Sequence, residues 1–267
     1  MADNALSHAG DVSGPDLPGP MRSWLESAGV VAAVVAILSL GTAAGTGATS
    51  ALDWYADIGT PRAHAPGAVQ AYVAMRLAVF LAAFQVTLLV SSLLAARLFR
   101  GDRVAFMALS YPKGGMVGML PYGGILIASA AVYGAIVLLR DRNALLGDIL
   151  LLADMMRSDA WWMIALAAIV GVPVAEEVLF RGLMFGVLKS GPVGVAGAAI
   201  ISAVVWAGVH AQYSIYGIFG IALIGLFLAW VRERTESLAA PIGCHAAYNA
   251  SVLAAMMLVP ERFMQMG

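Results

Sequence analysis

Residues 160–188 read AWWMIALAAIVGVPVAEEVLFRGLMFGVL, an apolar run in which only Glu176, Glu177 and Arg181 carry charge. A membrane core of about 30 Å is crossed by about 20 apolar helical residues. The run is too long for one straight crossing. Pro173 lies inside it, and proline's missing N–H frees the carbonyl of Ile169 in an α-helical register and permits a kink. An ionisable side chain at the centre of a membrane helix costs about 2.5 to 3.5 kcal/mol on insertion scales. Three of them in one greasy segment therefore need a purpose.

Outward from this stretch, further apolar runs occupy residues 27–47, 70–96, 119–139, 194–211, 214–231 and 240–259, which makes seven expected spans. The chain has 267 residues, 61% hydrophobic and 12% charged, with mean hydropathy +0.86. That composition excludes a soluble globular domain. The expected fold is all-α: a polytopic transmembrane bundle of seven to eight helices. Its polar residues enclose an intramembrane catalytic cavity, because irregular or polar chemistry at membrane depth needs water. Residues 1–24 read as a disordered polar tail, 25–158 as accessory helices and loops, and 159–260 as the part that carries chemistry.

Net charge is −1 and no basic stripe with interleaved aromatics appears, so no nucleic-acid partner is expected. The expected partners are the lipid bilayer and a membrane protein or peptide. The single cysteine, Cys244, has no partner for an internal disulfide. Arg97, Arg100, Arg103 and Lys113 form the densest basic connector and place it on the cytoplasmic side, as they do Lys189 and the Arg232–Arg234 loop. Arg140, Arg142 and Arg157 then fall on the opposite side, against the same rule. Thirteen arginines against two lysines, with many alanines and glycines, point to a bacterial cytoplasmic membrane. Trp54, Trp161 and Trp162 read as interfacial anchors. Gly217, Gly220 and Gly225 permit close backbone approach in one helix. Arg76 has no acidic neighbour in its own run, which leaves it facing the cavity or snorkelling to an interface.

Within the chemical half, Glu177 and Arg181 are four apart and share a helical face, so they form a pair that lets a buried arginine exist. Glu176 diverges from Glu177 by about 100° around the helix and is left without a partner along the chain. An unpartnered carboxylate at membrane depth is a candidate general base. His210 ends the 194–211 run one turn after Trp206. Alone, such a histidine is a structural residue bonded to a nearby carbonyl. His245 and Asn249 again stand four apart and present an imidazole and a carboxamide from one face, suited to an oxyanion or to gluing helices together. His8 and His64 sit in polar segments and read as solvent-facing. Cys244 and His245 are adjacent, so they point apart and form no dyad.

Glu176-Glu177-Val-Leu-Phe-Arg181 matches EExxxR, Trp206-Ala-Gly-Val-His210 stands where FxxxH is usual, and His245-Ala-Ala-Tyr-Asn249 matches HxxxN. In this order the motifs resemble the CAAX-processing and bacteriocin-processing (CPBP, or Abi) family of intramembrane proteases, over about residues 160–259. The resemblance implies an endopeptidase in which Glu176 and His210 activate a water, His245 and Asn249 stabilise the oxyanion, and Glu177 and Arg181 support the site. Trp206 in place of phenylalanine is expected to alter packing beside His210 more than chemistry. Glu176, His210 and His245 supply a His₂Glu set that a catalytic zinc accepts. The HExxH pair is absent, however, and the resemblance to the prenyl-protein protease branch implies a glutamate-activated water without metal. No cofactor is expected. A non-catalytic scaffold or regulator with the same polar core, and a proton-coupled carrier, are the competing classes.

Overall fold

The computed structural model describes residues 19–59, 68–99, 107–112, 114–115 and 117–258. The described secondary structure is helical, and the chain is an all-α polytopic bundle. Its elements are α1 (Gly19–Gly59), α2 (Ala68–Phe99), α3 (Leu120–Arg140) after a 3₁₀ turn, α4 (Arg142–Met155), α5 (Trp161–Lys189), α6 (Gly194–Gly208), α7 (Ile215–Thr235) and α8 (Ala239–Leu258). Of the seven expected spans, five are long and apolar enough to cross a membrane: Met21–Ala56, Ala71–Phe99, Val117–Arg140, Trp161–Lys189 and Ile215–Thr235. With 15 residues, α6 reaches only about 22 Å at 1.5 Å per residue. Helix α8 has the length, with 20 residues, but carries His245 and Asn249. Residues 142–155, expected as connector, form α4. Of the expected tail, residues 1–18 lie outside the described residues and Gly19 already belongs to α1; His8, His64, Arg100, Arg103 and Lys113 also lie outside them.

The second half of α5 is the axis of the bundle. Residues 177–188 are all buried, and Phe180, Leu183, Met184 and Phe185 pack against Val34, Leu88, Ala198, Leu228 and Leu238 from the surrounding helices. A helix apolar on every side must be central. By contrast α1, α2 and α3 expose Val35, Leu40, Val86, Leu94, Val132 and Leu139 on their outer faces. Trp54, Trp161 and Trp162 are all exposed near helix ends.

Helix α5 is not wound uniformly. Ala167–Gly171 and Val178–Met184 are π-helical, with Val172 N–H donating to Ala167 and Phe185 N–H to Phe180, five residues back. This register changes which carbonyl proline orphans. With bonds reaching five residues back, the donor missing at Pro173 belongs opposite Ala168 rather than Ile169. Asn249 on α8 fills that gap, donating from Nδ2 to the Ala168 carbonyl at 2.7 Å. Gln85 on α2 reaches the neighbouring Ala167 carbonyl, and Gly171 makes room for it, since a Cβ there would run into the Gln85 amide. Wide turns of this kind need outside donors for what they release, and here two helices supply them.

The glycines of α7 allow close approach to three different neighbours. A Cβ on Gly217 would meet Asp148 of α4, one on Gly220 would meet Tyr133 of α3, and one on Gly225 would meet Ala203 and Trp206 of α6. At the end of the bundle where α7 turns into α8, Leu238 N–H donates to Ala108 and Ser237 Oγ to the Ser110 carbonyl, both at 2.7 Å, while Lys189 Nζ lies 2.9 Å from Glu233. The 107–112 segment, the end of α5 and the Arg232–Arg234 turn therefore share one face, as their basic residues lead one to expect. At the other end Arg157 donates to the carbonyls of Ala153 and Met256, a cation placed at the C-termini of α4 and α8.

Candidate active site

All three motifs meet at Trp206, in the last turn of α6 and only 3% exposed. Its ring lies between the two intramembrane histidines, 5.4 Å from His210 and 5.5 Å from His245, edge-on to each. The Arg181 guanidinium sits 4.4 Å from its centre. Gly225 of α7 leaves the space, because a Cβ there would lie 3.1 Å from the indole.

Beneath the ring lies a buried ionic cluster. Glu177 Oε1 accepts from Arg181 Nη1 and from His245 Nδ1, each at 3.0 Å, and Arg181 Nη2 donates to the Gly225 carbonyl at 3.2 Å. Glu177 and Arg181 are both 0% exposed. Charges this deep persist only when paired and hydrogen-bonded. The carbonyl of Arg181, inside the second π segment, accepts from Arg232 Nε at 3.2 Å. The cluster thus joins α5, α7 and α8.

Glu176, one residue earlier, faces away from this cluster and is partly exposed. Spacing along the chain leaves it without a partner, but α6 provides one: Trp206 Nε1 donates to Glu176 Oε2 at 2.7 Å. The expectation that tryptophan in the FxxxH position alters only packing therefore does not hold. Phenylalanine has no such donor.

Both histidines have their tautomers set by neighbours. His210 Nδ1 lies 2.9 Å from the Trp206 carbonyl, which can only accept, so Nδ1 carries the proton and Nε2 is the open nitrogen. His245 presents Nδ1 to the Glu177 carboxylate and likewise leaves Nε2 open. Asn249 lies on the face of α8 that bears His245, but one of its two N–H groups is spent on Ala168. Cys244 is buried, while the imidazole next to it turns to Glu177.

Two further residues adjoin the site from a segment that sequence patterns did not single out. Tyr213 stands 6.0 Å from His210, ring to ring. Burial first, then the Asp148 and Glu176 carboxylates, push its phenol above the ordinary tyrosine range, so it keeps its proton at neutral pH. Asp148 of α4 accepts from both the backbone N–H and the Oγ of Ser214 at 2.6 Å, and Ser214 caps α7 through Gly217 N–H. The turn carrying His210 and Tyr213 is thereby tied to α4. Motif spacing cannot reveal Asp148, which sits in an apparent connector. Trp206 was visible, but its partner was not.

Among the described residues no group of three or more His, Cys, Asp or Glu side chains is gathered closely enough to hold a metal ion, so Glu176, His210 and His245 do not form the His₂Glu set in this arrangement. Each histidine also has its Nδ1 occupied. A hollow of about 290 Å³ lies elsewhere, lined by Thr49, Val73, Arg76, Leu77, Phe80 and Met155. Arg76 itself pairs with Asp53 of α1 at 2.8 Å, beside the exposed Trp54 and Tyr55, which settles its placement near an interface.

Residues 158–251 match the family described as type II CAAX prenyl endopeptidase Rce1-like, so the resemblance carried by the three motifs holds over the segment containing them. No curated protein and no solved structure matched the chain. At the level of the family, that segment is of a CAAX-protease-like endopeptidase, and its apolar helices make the chain an integral membrane protein.

Proposed function

We propose that the chain is an intramembrane endopeptidase that hydrolyses a peptide bond of a membrane-associated protein or peptide, with Glu176 as the base. The observation that carries this reading is the division of labour between adjacent carboxylates. Glu177 is consumed by Arg181 and His245 in a closed cluster, whereas Glu176 is partly exposed and has one oxygen taken by Trp206. Its other oxygen accepts the proton of a water that the open Nε2 of His210 helps to hold. The water attacks the substrate carbonyl, and the proton returns from Glu176 to the departing amine.

His245 is suited to the developing oxyanion once Nε2 is protonated, because the Glu177 carboxylate behind Nδ1 favours the imidazolium, as a carboxylate does behind a catalytic histidine in serine proteases. The remaining N–H of Asn249 is the second donor. Tyr213, protonated beside His210, adds a neutral hydroxyl at the rim. The substrate enters as an unwound segment, since intrahelical hydrogen bonds otherwise shield its carbonyls. The glutamate mechanism needs no metal ion.

The test compares native membranes carrying wild-type protein with those carrying Glu176→Gln, and counts new peptide termini by mass spectrometry. Turnover should fall about 10²- to 10⁴-fold, the range for losing a general base, while the melting temperature barely moves. Equal cleavage by Glu176→Gln rejects the mechanism. Loss of wild-type cleavage on stringent chelation, with one metal ion per chain, rejects its metal-free form.

A further inference from the structure

We propose that Trp206 is a positioning residue whose indole N–H selects which oxygen of Glu176 acts as base, a deepening of the catalytic reading above that rests on it. A carboxylate has two equivalent oxygens, and rotation about its last bond exchanges them. The 2.7 Å bond from Nε1 to Oε2 ends that equivalence and leaves Oε1 as the proton acceptor. Such a bond to a charged group is short and stronger than a neutral one. Indole suits the task because it only donates: it cannot take the proton itself and cannot compete as a base.

The indole is itself held from several sides. Arg181 lies against its face at 4.4 Å, the two imidazoles meet it at 5.4 and 5.5 Å, and Gly225 gives up a side chain to admit it. The same residue holds His210 through its backbone carbonyl at 2.9 Å. One tryptophan therefore orients both groups that share the water, one with its side chain and one with its main chain. Because the second link is backbone, substitution of the ring isolates the first.

The experiment uses full-length protein in native membranes, with Trp206→Phe and with 3-benzothienylalanine at position 206, an isostere that carries sulfur in place of N–H. Both should lower kcat about ten- to a hundredfold with KM unchanged, the effect of losing one hydrogen bond to a charged group. In ¹⁵N-indole-labelled protein, the Trp206 Nε1–H resonance should lie downfield and move upfield in Glu176→Ala. If Glu176→Gln is inactive but the benzothienylalanine variant turns over at the wild-type rate, the positioning role is overturned while the base assignment stands. If Glu176→Gln is fully active, the catalytic reading fails and this inference with it. An indole resonance indifferent to Glu176→Ala overturns the inference independently of any activity.

Discussion

Two arginine–carboxylate pairs cross this bundle, and they belong to different worlds. Arg76 and Asp53 join α1 to α2 at 2.8 Å with side chains 44% and 41% exposed, and Tyr72 OH donates to the same Asp53 oxygen. Arg181 and Glu177 lie within α5 at 3.0 Å with both side chains 0% exposed. The first pair sits beside Trp54 and Tyr55, where water and headgroups solvate what the pair does not. The second has only other protein groups to rely on: His245, the Gly225 carbonyl and the face of Trp206. Identical chemistry thus serves as a surface tie in the accessory half and as the foundation of the site in the other.

The contrast can be broken by removing one partner of each. Arg181→Met should cost about 3 to 5 kcal/mol, because it strands the Glu177 carboxylate in a dry interior. Thermal unfolding in detergent measures it, and a loss below about 1 kcal/mol would erase the distinction between the two pairs. A smaller effect sharpens the boundary of the buried network. Asn249→Ala leaves the Ala168 carbonyl without its donor and should cost about 1 to 3 kcal/mol. Were the melting temperature unchanged and only turnover lost, the Asn249–Ala168 bond would have no structural weight. Arg76→Gln should be the mildest, at about 0 to 1 kcal/mol, with unchanged cleavage and a difference from wild type that shrinks as salt is raised.

What could be read without coordinates follows from how far each interaction reaches along the chain. The helical class came from composition, and Glu177–Arg181 from a four-residue spacing. Contacts between helices were beyond such reading: Trp206 with Glu176 is separated by 30 residues, His245 with Glu177 by 68, and Asn249 with Ala168 by 81. Arg76 seemed isolated for the same reason, since Asp53 lies in the preceding helix. Helix α4 escaped notice because Asp148 and Asp154 interrupt its apolar residues, and Arg140, Asp141 and Arg142 crowd its start. Length misled in α6, whose helix stops at Gly208 and leaves His210 in a turn. The proline was recognised, but the consequence of its absent N–H depended on a winding that periodicity does not disclose.

That winding has an evolutionary corollary. A π turn amounts to an α-helix carrying one surplus residue. Each of the two in α5 is therefore an insertion tolerated in mid-span, and deleting a single codon between 167 and 171 would tighten the coil and swing everything after it by about 100°. Adjacent residues differ by that same angle. A frame-preserving deletion would thus aim the wrong member of the Glu176–Glu177 doublet at α6, which ties the identity of the reactive acid to a miscount in the helix that bears it.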